Sequence, residues 1–208
     1  MTTATKERGI LMHARSVNGI LAGRKTQTRR IIKPQPYLVP SNGTHILMYM
    51  DRKHTQRVFN AEACSYGQPG DQLWVRETWK RQTVDAAGQH VAYRADGAVQ
   101  SCARWPCDVA ADRTTDNKWR PSLHMPRCYS RITLEITDIR VERVQDIDWW
   151  DAIAEGVKDP RSIKIHLDRS HPRNPVNLFA QLWDDTNGKG AWDRNDWCWV
   201  VEFKRVGA

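Results

Sequence analysis

No run of apolar residues in this chain of 208 residues approaches the length needed to span a bilayer. The opening segment, Met1 to Arg8, lacks the apolar stretch of a signal peptide. Both absences argue against membrane insertion and secretion, and the expected location is the cytoplasm. Acidic residues are scarce in the first 60 positions, where only Glu7 and Asp51 accompany 11 Lys and Arg. Phenylalanine is scarce throughout, with 3 residues, and no internal repeat or low-complexity tract occurs. A strong zinc pattern is also lacking. Cys102 and Cys107 have four residues between them, and His124 and Cys128 follow, which matches none of the usual ligand spacings. The five cysteines, odd in number and without a secretion signal, are expected to be reduced thiols. No metal and no organic cofactor is implied.

What is present suits a soluble globule of one domain: hydrophobic residues make up 40% and charged residues 27%. The net charge of +8 is unevenly placed. The first 60 residues carry +9 and the remainder −1. A local basic field points to an anionic partner such as phosphate or nucleic acid, or to a solvated basic surface. Tryptophan is plentiful, with 10 residues against 5 Tyr. Rings of that size fill cores, and one or two can stack on a planar ligand.

Patterning predicts an α+β architecture, a small β-barrel or strongly curled sheet with flanking helices. Asn18 to Ala22 reads as a helix end, with Ile10, Leu11, Ile20 and Leu21 apolar and Gly23 placed to stop it. Lys25 to Ile32 reads as a strand, and Pro34, Pro36 and Pro40 make the next stretch a loop. Thr44 to Met50 and Gln56 to Phe59 are spaced to pair as a hairpin, and Gln68 to Asp71 form a turn into a strand over Gln72 to Trp79. A short strand is expected over Val91 to Arg94, and irregular chain over residues 95 to 130. Arg131 to Thr137 alternates, with Ile132, Leu134 and Ile136 on one face, and continues through Val141. Asp148 caps a helix through Glu155 that Gly156 ends, and Asn174-Pro175 opens a helix through Asp184. The last strand is Trp197 to Lys204.

The densest group of chemically useful residues is Gly23-Arg24-Lys25-Thr26-Gln27-Thr28-Arg29-Arg30. Crowding by arginines lowers the proton affinity of Lys25. A lysine tuned in this way can act as a base toward the Thr28 hydroxyl, which is a poor nucleophile unaided. The same residues also suit phosphate contact.

Ile20-Leu21-Ala22-Gly23-Arg24-Lys25-Thr26-x-Thr28-x-Arg30 resembles the signature of ASCH domains, which have a PUA-like barrel fold, and is similar to the bacterial N4-acetylcytidine amidohydrolases among them. Pro69 to Leu73, Tyr129 to Thr137, Ala152 to Glu155 and Val200 to Lys204 resemble further segments of that family in the same order. The resemblance implies one PUA-like domain over residues 1–208, with insertions near 33–67, 80–128 and 157–195. It implies an amidohydrolase that cleaves the N4-acyl amide of an N4-acylated cytosine nucleoside without a metal. Carried over by motif, Lys25, Thr28 and Glu155 are the catalytic residues, with Asp151 and Glu135 as rivals to Glu155. Arg30, Glu77 and Trp79 are candidate substrate-binding residues. Either Lys25 activates Thr28 as nucleophile, or Glu155 activates a water while Lys25 and Thr28 stabilise the oxyanion. The insertions bring Trp105, Trp119 and Trp192 as possible walls of a wider acyl pocket. The alternative is an RNA-binding module or a ribonuclease of the same fold, which the basic first 60 residues also suit.

Overall fold

The structure is a computed structural model, and it describes residues 5–41, 44–50, 55–59, 61–85, 88–102, 117–158, 165 and 168–207. The strands are β1 (Glu7–Leu11), β2 (Gln27–Ile31), β3 (Tyr37–Ser41), β4 (Thr44–Met50), β5 (Gln56–Val58), β6 (Gln72–Arg76), β7 (Trp79–Asp85), β8 (Gly88–Tyr93), β9 (Val99–Cys102), β10 (Thr133–Arg143) and β11 (Trp197–Arg205). The helices whose bounds fall among the described residues are α1 (Ala14–Leu21), α2 (Trp149–Ala154) and α3 (Pro175–Asn187), with a few single turns of 3-10 helix. The protein is thus mixed α and β, mostly strand. The largest sheet has the order β1-β6-β10-β11-β2, and two three-stranded sheets have the orders β3-β4-β5 and β7-β8-β9. The five-stranded sheet ends at β1 and β2, so among the described residues the expected barrel is not closed.

Chain contacts divide the protein into two units. The first comprises Met1–Gly23, Asp71–Glu135 and Arg205–Ala208, and the second Arg24–Gly70 and Ile136–Lys204. In the first unit β1 pairs with β6 in parallel, from Glu7 opposite Gln72 to Leu11 opposite Arg76. Ile10 and Leu11, expected on a helix, therefore lie on a strand. The helix begins only at Ala14, and Gly23 follows its end at φ +69°, a left-handed conformation that glycine adopts without steric penalty. The β7-β8-β9 sheet carries a cluster of Trp79, Val91, Tyr93, Met125 and Tyr129.

In the second unit β11 pairs antiparallel with β2, from Cys198 opposite Ile31 to Glu202 opposite Gln27. Cys198, Trp199, Val200 and Val201 are all buried, as expected of a strand with another on each side. Asp148 caps α2 by accepting the Asp151 N–H, and Asn174 caps α3 by accepting the Val176 N–H, each cap contributing about 1 kcal/mol. Phe179 and Trp183 of α3 pack with Val144, Ile147, Ala152, Val157 and Cys198. The expected hairpin forms, with Met48 opposite Val58 and Met50 opposite Gln56. The proline-rich stretch before it is partly a strand, β3, with Pro40 opposite His45. β3 is an edge strand, where a residue without an N–H is tolerated.

Cysteine chemistry departs from expectation. Cys64 and Cys198 are buried free thiols, but Cys128 is disulfide-bonded. Spacing alone does not reveal which thiols the fold brings together. The side chains of Cys102 and Cys107 lie outside the described residues. No helix among the described residues is long and apolar enough to cross a membrane.

Candidate active site

Lys25 lies just before β2, and Glu155 just after α2. An isolated antiparallel bridge joins the two residues, and the Thr26 N–H donates to the Ala154 carbonyl at 2.9 Å. This backbone contact sets the side chains against each other. Lys25 Nζ donates to Glu155 Oε2 at 2.6 Å and to the Glu155 carbonyl at 2.8 Å. Gly156, at φ +90°, makes the approach possible. A Cβ there would lie 3.2 Å from Lys25 Cβ, in a backbone conformation that side chains rarely adopt.

The pair is enclosed, with side-chain exposures of 4% for Lys25 and 5% for Glu155. Burial pulls the Lys25 ammonium below its ordinary proton affinity. Glu155 opposes the shift, and Arg30 and Arg29 add to it. Glu155 Oε1 is buried and accepts no hydrogen bond among the described residues. Arg29 Nη1 lies 3.8 Å from it. A buried acceptor without a donor is disfavoured by about 1–3 kcal/mol.

A second layer of charge surrounds the pair. Arg29 Nη2 donates to Asp151 Oδ2 at 2.7 Å and to Glu142 Oε2 at 2.9 Å, and Nη1 donates to Gln27 Oε1 at 3.1 Å. Asp151 also accepts two bonds of 3.0 Å from Arg140 Nη2 and one of 3.2 Å from Gln27 Nε2. Arg140 donates further to Glu142 and to Glu202. Burial alone would push the Asp151 carboxyl up. Arg29 and then Arg140 outweigh it and hold the group below the usual carboxylate range.

The structure brings Lys25 and Glu155 together, and it gives the two rival acids other surroundings. Asp151 is engaged by Arg29 and Arg140. Glu135 belongs to the first unit, opposite Gln72 on β6. Thr28 is buried on β2 opposite Val201, with Arg30 opposite Trp199. Strand alternation sets Thr28 and Arg30 on the face away from Gln27 and Arg29. Among the described residues no hydrogen bond joins Thr28 to Lys25. On the Thr28 face, Trp199 stacks on Phe59 at 4.8 Å, and Tyr49 meets Phe59 edge-on at 5.5 Å.

Glu77 and Trp79 lie in the first unit and take no part in this cluster. Both oxygens of Glu77 are bonded by Arg131, at 2.8 and 2.9 Å. Trp79 is core, packed on Tyr129 at 4.9 Å. Of the inserted tryptophans, Trp105 lies outside the described residues, Trp192 packs on Phe179 at 6.2 Å, and Trp119 remains 40% exposed in the first unit. Among the described residues no group of three or more His, Cys, Asp or Glu is arranged to hold a metal.

Sequence reasoning placed Arg29 and Gln27 in the Lys25 segment without seeing what they bond, and it passed over Glu142 and Arg140. Three signals for them were available. Gln27 and Arg29 share one face of a strand, Arg140 and Glu142 share one face of another, and Asp151 precedes Glu155 by one helical turn. Comparison of the chain with family models, with curated proteins and with solved structures finds no match in any of the three.

Proposed function

We propose that this protein is a metal-independent amidohydrolase of the ASCH type, with a PUA-like domain, that cleaves the N4-acyl amide of N4-acylated cytidine or deoxycytidine. The products are the free nucleoside and a carboxylic acid. One observation carries the reading: the buried Lys25–Glu155 pair, 2.6 Å apart, whose second carboxylate oxygen accepts no hydrogen bond among the described residues. The ASCH resemblance assigns these two residues a joint role, although 130 positions separate them.

In this reading Glu155 Oε1 takes a proton from a water, and the water oxygen bonds to the acyl carbon. The Lys25 ammonium stabilises the oxyanion, with Thr28 as a second donor. The C–N4 bond then breaks, and N4 receives the proton held by the pair. The route with Thr28 as nucleophile has less support, because Lys25 makes its hydrogen bonds to Glu155 and none to Thr28. The test is release of cytidine from N4-acetylcytidine by purified protein. Alongside it, mass spectrometry under rapid quench shows no acyl-enzyme if water attacks directly, and Thr28→Val retains measurable turnover. A covalent adduct on Thr28 would reinstate it as nucleophile. Absence of turnover with every N4-acylcytidine tried would end the hydrolase reading.

A second reading, an RNA-binding module, is favoured by one feature of the first unit. The half-exposed Trp119 ring has Lys80 Nζ at 4.9 Å and the Arg94 guanidinium at 5.9 Å from its centre. An aromatic face flanked by cations suits single-stranded nucleic acid. Tight RNA binding, lost in Trp119→Ala and combined with no nucleoside turnover, would favour it.

A further inference from the structure

The Arg29 side chain is fully enclosed, at 0% exposure, and it reaches both ends of α2. One guanidinium nitrogen bonds Asp151, in the first turn of the helix, and the other lies 3.8 Å from Glu155, its C-terminal cap. A helix of six residues has too few hydrogen bonds to hold itself, so tertiary contacts fix its position. Arg29 stands on β2, four positions after Lys25. The segment that supplies the lysine therefore also grips the helix that supplies its carboxylate.

We propose that Arg29 is a positioning residue for the Lys25–Glu155 pair. Through Asp151 it holds the first turn of α2, and its guanidinium faces Glu155 Oε1 across 3.8 Å without hydrogen-bonding it. The inference rests on the hydrolase reading for its catalytic consequence, but not for its geometry. The charges around it are few and named. Lys25 faces Glu155 from α2 and Arg29 and Arg30 from β2. Arg29 faces Asp151, Glu142 and Glu155, with the Cys198 thiol of β11 and the Phe179 ring of α3 beside it. Burial pushes that thiol up to about 12, so it stays neutral and adds no charge. Two cations thus flank one carboxylate. Removing Arg29 leaves Glu155 to Lys25 alone, and the ammonium form of Lys25 gains.

The test uses the full chain with Arg29→Gln, Arg29→Lys and Asp151→Asn. One readout is the titration of Lys25 followed by carbon NMR at Cε without substrate. The other is kcat and KM for N4-acetylcytidine against pH. Arg29→Gln is expected to lower kcat by about 10- to 100-fold, with KM changed by less than about threefold. Its Lys25 titration and the falling limb of kcat at high pH should move together to higher pH. Arg29→Lys restores the limb but not the full kcat, since one ammonium does not reproduce the fork that binds Asp151 and Glu142. Asp151→Asn keeps the charge of Arg29, so it lowers kcat with little shift of the limb.

If Arg29→Gln melts as the wild type does and shows wild-type Lys25 titration and kcat, the proposal is wrong. Should Arg29→Gln fail to fold, the other two variants decide, and wild-type kcat in both overturns it. A wild type inactive on all N4-acylcytidines removes the hydrolase reading, and Lys25 titration in the variants then still decides whether Arg29 sets the pair.

Discussion

In the first unit Arg131 lies against Glu77 and Asp96, and in the second Arg29 lies against Asp151, Glu142 and Glu155. Arg131 bonds both oxygens of Glu77, at 2.8 and 2.9 Å, and both of Asp96, at 2.8 and 3.0 Å. Its guanidinium also lies 4.0 Å from the centre of the Tyr93 ring. Every carboxylate oxygen there has a donor. Around Arg29 the carboxylates outnumber the available forks, and Glu155 Oε1 is left without one. A buried ion pair is poor evidence of function in itself, because closed networks of this kind serve packing. The difference lies in the oxygen without a donor, beside a lysine whose proton is loosely held.

Replacing the lysine is the strongest way to break the comparison. Lys25→Ala and Glu155→Gln should each lower kcat on N4-acetylcytidine by about 10²- to 10⁴-fold. Lys25→Arg keeps the charge but not the compact ammonium that Glu155 encloses, so it should fall less far, by about 10-fold or more. If Lys25→Ala kept most of its kcat, the ammonium would take no part in the reaction, and the two networks would differ less than argued.

The closed network should answer in stability instead. Glu77→Gln removes the more buried of the two carboxylates that hold the Arg131 guanidinium and is expected to cost about 3–5 kcal/mol, read from denaturant unfolding. A loss below about 1 kcal/mol would show that Arg131 is adequately held by Asp96 and that the network is not closed in the energetic sense. Gly156→Ala tests the open network by geometry alone. The left-handed backbone is expected to cost about 1–3 kcal/mol, and the displaced lysine should lower activity of the folded protein as well. Normal activity in a folded Gly156→Ala would mean that Lys25 tolerates displacement.

Dependence on pH separates the groups by sign. Lys25 holds its proton less tightly in the fold than in the unfolded chain, where 10.5 is the ordinary value. Between its lowered value and 10.5 the unfolded chain binds more protons, so stability rises with pH across that window and is flat below it. The falling limb of kcat at high pH should likewise lie below 10.5, and Lys25→Met should abolish the stability gain. Asp151 runs the other way. Its stabilisation is present above 3.8 and is lost as pH drops through its lowered folded value, which melting curves at acid pH would register. A melting temperature indifferent to acid in the wild type, and equal to that of Asp151→Asn, would contradict this. The smallest expected effect is that of chelation, which should leave kcat unchanged. Activity lost to a chelator and restored by zinc would replace the Lys25–Glu155 chemistry with a metal site.

Much of the fold was legible because its signals are local. Alternation marked β10 and β11, and Asp148 and Asn174 marked the starts of α2 and α3. The hairpin of β4 and β5 followed from its spacing. The misses also have local causes. Pro40 made β3 look like a loop, which holds for a central strand but not for an edge. Ile10 and Leu11 were assigned to a helix because they precede one, although they pair with Val75 and Arg76 across the sheet. At the site, the Lys25 segment stood out by its charge density. Arg29 did not, because in sequence it is one arginine among three.

The sequence by itself determined where most strands and helices begin and end, and which lysine stands among arginines, since those depend on neighbours within a few residues. Only the tertiary structure decided that Lys25 meets Glu155, that Asp151 is taken by Arg29 and Arg140, and that Glu77 is closed off by Arg131. The reason is physical. A carboxylate's role depends on how many donors reach it and how much water is excluded, and both are properties of chain segments far apart in sequence that folding brings to between 2.6 and 3.8 Å.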